Sequence, residues 1–221
     1  MTLALPAAGE NQKRMIDGPA GQIEVLLAAP KSAPKGISVI CHPHPLYGGA
    51  MSNKVTYMLA ATALEHGLIA LRFNFRGVGK SDGTHDQGEG EVEDTAFLCQ
   101  WLREQYPDLP LLLAGFSFGG FVSLRAAAQV LPALQVSVAP PFRYFDGRER
   151  PAHPGCPWLI LHGRDDDVVA YQDTVDAVAD YDPPPQLDSF DEVGHFFHGR
   201  LQDLRASVSA FLSAHQDRLN G

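Results

Sequence analysis

The sequence predicts a single α/β domain with a mostly parallel central sheet and helices on both of its faces. Short apolar runs bounded by Gly and Pro alternate with longer amphipathic segments along the chain. Runs such as residues 111–114 are apolar throughout, which is typical of a strand covered on both faces. Alternation of strands and helices favours βαβ units, in which successive strands are parallel. The length of 221 residues suits one such domain, which we assign to residues 1–221.

Individual elements can be assigned from the period of the apolar residues. Strands are predicted at residues 23–29, 37–41, 68–75, 109–115, 134–139, 157–162 and 187–193. Helices are predicted near residues 53–66, 90–105, 118–130, 171–181 and 199–215. No helix is predicted between the first two strands, so we expect these strands to form an antiparallel edge of the sheet.

Composition and charge argue against several classes of partner. Hydrophobic residues make up 45% of the chain and charged residues 19%, as in ordinary globular proteins. The net charge of −9 repels phosphate groups, so neither nucleic acid nor an anionic membrane surface is expected as a partner. The N-terminus lacks the basic segment of a signal peptide, and no apolar run approaches the ~20 residues that span a bilayer. We therefore expect a small-molecule partner.

The cysteines indicate a reducing compartment. Cys41, Cys99 and Cys156 are scattered along the chain and form no Cys-x-x-Cys pair. They offer neither a disulfide framework nor a thiolate zinc site. Reduced thiols in a cytoplasmic protein are the expected state.

The most informative segment is a strand-to-helix turn with the pattern Gly-x-Ser-x-Gly at residues 115–119. Glycine at both ends permits a tight, strained turn that exposes the hydroxyl of Ser117 at the carboxyl edge of the sheet. The backbone N–H of Phe118, at the start of the next helix, would then point towards a developing oxyanion. The alternative is a glycine-rich turn in which the serine is incidental. The strand–turn–helix context favours a nucleophile.

A serine hydroxyl needs a base to take its proton, and the base needs an acceptor that orients it. His195 follows the last predicted strand, and Asp165, Asp166 and Asp167 follow the strand before it. Carboxyl ends of parallel strands share one edge of a sheet, so these residues should lie at the edge that bears Ser117. Two alternatives remain open: the aspartates cap the helix that follows them, and His195 is a core or surface histidine.

From about residue 36 to the C-terminal end, these motifs resemble the α/β-hydrolase superfamily, which uses the chain order Ser, Asp, His. The acid loop of that superfamily reads Gly-x-x-Asp-x-x-Val. Only Asp166 lies three residues after Gly163 and three before Val169. The resemblance therefore implies an α/β-hydrolase fold, with Ser117 as the nucleophile, His195 as the general base and Asp166 as the acid.

The run His-Pro-His-Pro-Leu-Tyr-Gly-Gly at residues 42–49 makes the resemblance more specific. Together with residues 72–81 and 195–199, it is similar to a group of compact bacterial serine hydrolases without a lid domain. The run occupies the position at which the superfamily supplies its second oxyanion donor. Proline has no N–H, so the backbone N–H of His44 is the best candidate and that of Leu46 the second.

The mechanism implied by this resemblance needs no metal and no organic cofactor. The histidine pairs at positions 42/44 and 195/198 lack carboxylate or thiol partners at ligand spacing. The Gly-Val-Gly-Lys-Ser run at residues 77–81 would need glycine at position 74 to be a phosphate-binding loop, and Asn74 stands there. We expect a serine hydrolase that cleaves ester-like substrates. A thioesterase, amidase or peptidase with the same triad, and a non-catalytic binding protein on the same fold, remain alternatives.

The stretch at residues 140–156, between two predicted strands, bears on substrate size. Lids in this superfamily are commonly inserted there, but this stretch is too short and too polar to build covering helices. We therefore expect an open site and small, water-soluble acyl substrates. The alternative is that Phe142, Tyr144 and Phe145 fold over the serine as a small apolar wall.

Overall fold

The computed structural model of the protein describes residues 6–145 and 150–219. Its strands are β1 (Asn11–Gly18), β2 (Gly21–Ala28), β3 (Gly36–Cys41), β4 (Leu68–Phe73), β5 (Leu111–Phe116), β6 (Leu134–Val138), β7 (Trp158–Gly163) and β8 (Gln186–Phe190). They form one eight-stranded sheet in the order β1-β2-β4-β3-β5-β6-β7-β8. From β4 to β8 in this order every neighbouring pair is parallel, so the predicted mostly parallel sheet is confirmed.

Helices cover both faces of this sheet, as the apolar strands predict. They are α1 (Lys54–Glu65), α2 (Glu89–Gln105), α3 (Phe118–Val130), α4 (Tyr171–Val178) and α5 (Leu201–Ala214). Apolar residues of α2, α3 and α4 pack with one face, and those of α1 and α5 pack with the other. Every residue of β3, β5, β6 and β7 is buried, which explains their nearly continuous apolar sequences. In the two described segments, no helix is long and apolar enough to cross a membrane.

The antiparallel edge differs from the prediction. The sequence pattern does not predict β1, because its residues are mostly polar and exposed, as suits an edge strand. β1 is antiparallel to β2, and β2 is antiparallel to β4. The expectation that the first two predicted strands form this edge is wrong for the second, β3, which lies between β4 and β5. The physical reason is its composition, since a strand that is apolar on both faces is stable only inside the sheet.

Two elements near the site end earlier than the sequence pattern predicts. β8 ends at Phe190 rather than at residue 193. The backbone of Glu192 has a φ of 58°, which lies outside the range of β-strands, so the strand cannot continue to residue 193. α4 ends at Val178 rather than at residue 181. The shorter β8 leaves a turn between the sheet and His195.

Candidate active site

Loops meet at the carboxyl edge of the parallel strands. The loops that follow β3, β5, β7 and β8 carry His44, Ser117, Asp166 and His195 respectively. A cavity of about 770 Å³ opens at this edge, and its lining includes His44, Ser117, Phe118 and His195. The fold therefore gathers in one place the residues that the sequence singles out.

Ser117 lies in a strained turn between β5 and α3. Its φ of 53° falls in the left-handed region, which few non-glycine residues adopt. A Cβ at position 115 would lie 2.1 Å from the carbonyl oxygen of Gly119, and one at position 119 would lie 2.4 Å from that of Cys41. Both positions therefore require glycine. The Ser117 N–H holds the turn to the neighbouring strand by donating to the carbonyl of Val138 at 2.8 Å.

A continuous chain of hydrogen bonds joins three side chains. Ser117 Oγ lies 2.9 Å from His195 Nε2, and His195 Nδ1 lies 2.7 Å from Asp166 Oδ2. An ionised carboxylate can only accept, so Nδ1 carries the proton and Nε2 can accept from the serine hydroxyl. All three side chains are nearly closed to solvent. Ring contacts with Phe116 and Phe196 fix the imidazole of His195 further.

Asp166 is the member of the triple aspartate that reaches His195. Asp165 and Asp167 are exposed, on either side of it. The alternative that these aspartates cap the following helix is wrong, because α4 has no side-chain cap at its N-terminus. The carboxylate of Asp166 instead accepts hydrogen bonds from backbone N–H groups of its own loop and from His195.

The carboxylate of Asp166 is saturated with donors. Its Oδ1 accepts the backbone N–H groups of Val168 and Val169 at 2.9 Å and 2.7 Å, and its Oδ2 accepts from His195 and His162. Burial alone would raise the pKa of Asp166. The hydrogen bonds from His162, His195 and the Val169 N–H outweigh burial and hold this pKa well below its usual range. Asp166 is therefore ionised at neutral pH.

His162 is a residue of the site that sequence reasoning did not single out. It lies in β7 and is fully buried. Its Nε2 donates to Asp166 Oδ2 at 3.1 Å and to the Val169 carbonyl at 3.0 Å, while Nδ1 accepts from Thr174 Oγ1 at 2.9 Å. The acid loop is thereby tied to α4. The available signal was a histidine near the end of an apolar strand, directly before the acid loop.

Between positions 43 and 49, most backbone N–H groups of the loop after β3 are engaged. Leu46 N–H donates to His44 Nδ1 at 3.3 Å, so the second candidate donor is already engaged. The N–H groups of Tyr47, Gly48 and Gly49 donate to carbonyl groups within the same loop. In the run from position 43 to 49, the N–H of His44 alone has no hydrogen-bond partner among the described residues.

Phe118 N–H, the other predicted donor, lies in the first turn of α3. The first N–H groups of a helix have no partner within it, and the N-terminus of a helix carries partial positive charge. The N–H of Phe118 makes no hydrogen bond in the segments that the structure describes. The rings of Phe118 and His44 lie 4.7 Å apart, so both donors belong to one packed unit that lines the cavity with Ser117.

The described residues between β6 and β7 form a short wall. Phe142–Phe145 is one turn of 3-10 helix, in which Phe142 is buried and Tyr144 lines the cavity. The side chain of Phe145 and residues 146–149 lie outside the described residues. Of the apolar wall considered from the sequence, Tyr144 is thus the member that lines the cavity.

Charged and apolar side chains frame the mouth of the cavity. Arg143 Nε lies 2.7 Å from Asp173 Oδ2, which joins the wall to α4. Tyr47, Val168 and Phe196 line the cavity and are 87%, 60% and 45% exposed. Sequence reasoning did not assign Phe196 to the site, although it directly follows His195.

Comparisons with known proteins agree with this architecture. The X-Pro dipeptidyl-peptidase family (S15 family) matches residues 17–149. An α/β serine hydrolase without a lid from Xanthomonas campestris is 36% identical with a TM-score of 0.88, over 96% of this chain and 97% of that chain. An α/β serine hydrolase homologue from Coxiella burnetii is 40% identical with a TM-score of 0.88, over 95% of this chain and 100% of that chain. An uncharacterized protein of Rickettsia prowazekii is 31% identical over 206 residues, 89% of this chain and 86% of its own length.

These similarities confirm the predicted α/β-hydrolase fold without a lid domain. The Xanthomonas structure, which has no lid, matches this chain along nearly its whole length. The family match covers more than half of the chain. The chain is therefore an α/β-fold serine hydrolase, and it belongs to the X-Pro dipeptidyl-peptidase (S15) family.

Proposed function

We propose that this hydrolase cleaves small ester-like substrates through an acyl-enzyme formed on Ser117. The hydrogen-bonded chain from Ser117 through His195 to Asp166 is the observation that supports the proposal most strongly. Phe118 and His44 line the same cavity, and their backbone N–H groups have no hydrogen-bond partner in the described part of the chain. The reaction is acyl transfer to water and requires no metal or organic cofactor.

Acylation begins with attack of Ser117 Oγ on the substrate carbonyl carbon. His195 Nε2 accepts the hydroxyl proton, and the resulting imidazolium is stabilised by the adjacent carboxylate of Asp166. The N–H groups of Phe118 and His44 stabilise the negative charge on the tetrahedral oxygen. Each such donor is typically worth ~10²–10³ in turnover, because its dipole is already oriented when the charge develops.

Collapse of the tetrahedral intermediate breaks the bond to the leaving group. His195 returns its proton to the leaving alcohol, which departs and leaves the acyl group on Ser117. Water then takes the place of the alcohol, and His195 removes one of its protons as it attacks the acyl carbonyl. The second tetrahedral intermediate then collapses: its bond to Ser117 Oγ breaks, His195 returns the proton to Oγ, and the acid product leaves.

A peptidase is the second candidate, because the family is named for X-Pro dipeptidyl-peptidases. Release of a dipeptide requires a site for the cationic amino terminus of the substrate. Asp173 is the one carboxylate among the described residues that line the cavity, and Arg143 is already paired with it at 2.7 Å. An uncharged ester therefore fits this cavity better than a peptide amino terminus.

A panel of substrates tests the proposal. We expect the parent protein to hydrolyse p-nitrophenyl esters faster than matched thioesters and p-nitroanilides. Ser117→Ala should lower kcat by about four orders of magnitude or more, because the triad acts as a unit. Ser213→Ala, an exposed serine on α5, is the control and should match the parent. Ester hydrolysis that is equal in Ser117→Ala and parent would contradict the mechanism, and a binding protein would hydrolyse none of the panel.

The three aspartates give a second, internally controlled prediction. Asp166→Asn should lower kcat by about 10⁴-fold, because an amide at this position disturbs the tautomer of His195 and removes the charge that stabilises its imidazolium. Asp165→Asn and Asp167→Asn change exposed side chains, so kcat should stay within a factor of about two. Steady-state kinetics on one ester compares all four proteins. A larger loss in Asp165→Asn than in Asp166→Asn would show that the acid is wrongly assigned.

The open mouth of the cavity predicts a limit on acyl-chain length. Each methylene removed from water contributes ~0.8 kcal/mol to binding, but only while protein covers it. Tyr47, Val168 and Phe196 are themselves largely exposed, so they cover one side of a chain at most. The specificity constant for p-nitrophenyl esters should therefore peak at short acyl chains and fall for long ones. A steady rise up to palmitate, with activation at an interface, would refute the lidless interpretation of substrate size.

A further inference from the structure

We infer that His42 is a positioning residue that fixes the direction of the His44 N–H, the proposed oxyanion donor; this inference rests on the function proposed above. His42 is not among the described residues that line the cavity. It acts through the peptide group between Pro43 and His44. This role of His42 depends on its tautomer, on the geometry of that peptide group and on the contacts that hold the imidazole in place.

The hydrogen bonds of His42 define its tautomer. The ring is fully buried after the end of β3. Its Nε2 accepts the backbone N–H of Phe75 at 3.0 Å, so Nε2 carries no proton. Its Nδ1 lies 2.6 Å from the carbonyl oxygen of Pro43, which can only accept, so Nδ1 carries the proton. His42 is therefore neutral, with one nitrogen as a donor and the other as an acceptor.

The charge state agrees with these contacts. Burial lowers the pKa of His42 to about 4, against a smaller opposing effect of the bond to the Pro43 carbonyl. A second proton would also have to occupy Nε2, directly opposite the N–H of Phe75. His42 is thus not a second base at neutral pH, and its Nδ1–H remains available to one acceptor.

That acceptor belongs to the same peptide group as the oxyanion donor. A peptide bond is planar, and in the trans form its C=O and N–H point in opposite directions. The Pro43–His44 bond is trans. When His42 Nδ1–H holds the Pro43 carbonyl towards the protein interior, the His44 N–H must point the other way. A hydrogen bond to the carbonyl also polarises the amide and strengthens its N–H as a donor.

The imidazole is itself held firmly. Its ring packs against Phe75, with centroids 4.5 Å apart, and Phe75 packs against Phe118 beside the nucleophile. On the other side of the same carbonyl, a Cβ at position 49 would lie 2.0 Å from the Pro43 oxygen. Glycine at this position therefore lets the carbonyl stay where His42 can donate to it.

The far end of the same loop is anchored to the same segment of the chain. Met51 N–H donates to Asn74 Oδ1 at 2.9 Å, and Arg72 Nη1 donates to the Met51 carbonyl at 2.8 Å. Phe75, which binds His42, directly follows Asn74 in the sequence. The chain at the end of β4 thus holds both ends of the loop, and His42 is the one donor to the Pro43 carbonyl among the described residues.

This role has a kinetic signature. Negative charge on the substrate oxygen is fully developed only in the transition state, so a misdirected His44 N–H should lower kcat and leave KM nearly unchanged. A merely structural role would instead lower the melting temperature and reduce the amount of folded enzyme. It would not lower kcat selectively while KM stays unchanged.

Two substitutions that introduce an amide side chain distinguish the role of His42 as a hydrogen-bond donor from its role as an acceptor. In His42→Asn, the amide nitrogen falls near the position of Nδ1 and can donate to the Pro43 carbonyl. In His42→Gln, the longer chain puts its amide oxygen near Nε2, where it can accept from Phe75 N–H but leaves the carbonyl without its donor. We expect His42→Gln to lower kcat by about 10- to 100-fold with KM within about twofold, and His42→Asn to recover most of that loss. Affinity for an alkylboronic acid, which forms a tetrahedral adduct with serine, should fall in parallel with kcat.

The outcomes separate this inference from the proposed function. If the parent enzyme shows no hydrolysis that depends on Ser117, the proposed function is contradicted, and the inference with it. If the parent enzyme is active and the kcat of His42→Gln equals or exceeds that of His42→Asn, the inference alone is overturned. It is also overturned if both variants lose kcat equally and both have lower melting temperatures. A measurement on the unmutated protein remains decisive if a variant fails to fold. Nitrogen-15 shifts of His42 should report the Nδ1–H tautomer at neutral pH, and an Nε2–H tautomer would overturn the inference.

Discussion

The close contact between the turn after β5 and the loop after β3 is the constraint on which the site depends. A Cβ at position 119 would lie within 2.5 Å of the carbonyl oxygens of both Cys41 and His42, so only glycine lets these two backbones approach. Ser117, the proposed nucleophile, and Phe118, one proposed oxyanion donor, lie on the turn after β5, and the other proposed donor, His44, lies on the loop after β3. A side chain at position 119 would therefore displace Ser117 and both proposed donors together. Backbone geometry, rather than side-chain packing, sets the spacing between them.

The other half of the site is set by buried electrostatics. A buried carboxylate is unfavourable unless its lone pairs are satisfied, and the four donors to Asp166 satisfy them. The same contacts join β7, the acid loop and α4 through His162 and Thr174. With its acceptor fixed in this way, the imidazole of His195 has one orientation, in which Nε2 faces Ser117. This preorganisation is the condition for proton transfer without rearrangement.

The two histidines of the His-Pro-His run have different environments. His42 is buried and neutral, with both ring nitrogens engaged by backbone groups. His44 is partly exposed at the cavity and packs against Phe118, and burial lowers the pKa of its imidazole. Pro43 and Pro45 have no N–H, and between positions 43 and 49 the N–H of His44 is the one without a hydrogen-bond partner among the described residues. The sequence of the loop is thus explained by backbone hydrogen bonding rather than by metal binding.

Much of this arrangement follows from local sequence, and the rest requires tertiary contacts. The turn around Ser117 is predictable because steric limits on a tight turn are local, and the choice of Asp166 follows from the resemblance of residues 163–169 to the acid loop of the superfamily. By contrast, β1 is a polar edge strand whose pairing uses backbone groups that leave no apolar pattern. The contact of His42 with Phe75 joins residues 33 positions apart, and that of His162 with Thr174 joins β7 to α4, so the partners of these histidines follow from the fold and not from a local pattern. Whether a strand such as β3 is central or at an edge is likewise decided by its neighbours.

The most direct test of the account is to trap the covalent intermediate. The enzyme would be mixed with p-nitrophenyl acetate, quenched with acid during turnover, digested and mapped by peptide mass spectrometry. The proposed mechanism predicts one acetyl group on the peptide that contains Ser117, absent when the enzyme is quenched before substrate is added. Acetylation of another residue in step with turnover, or continued hydrolysis by Ser117→Ala with no acyl-enzyme in the parent, would contradict it.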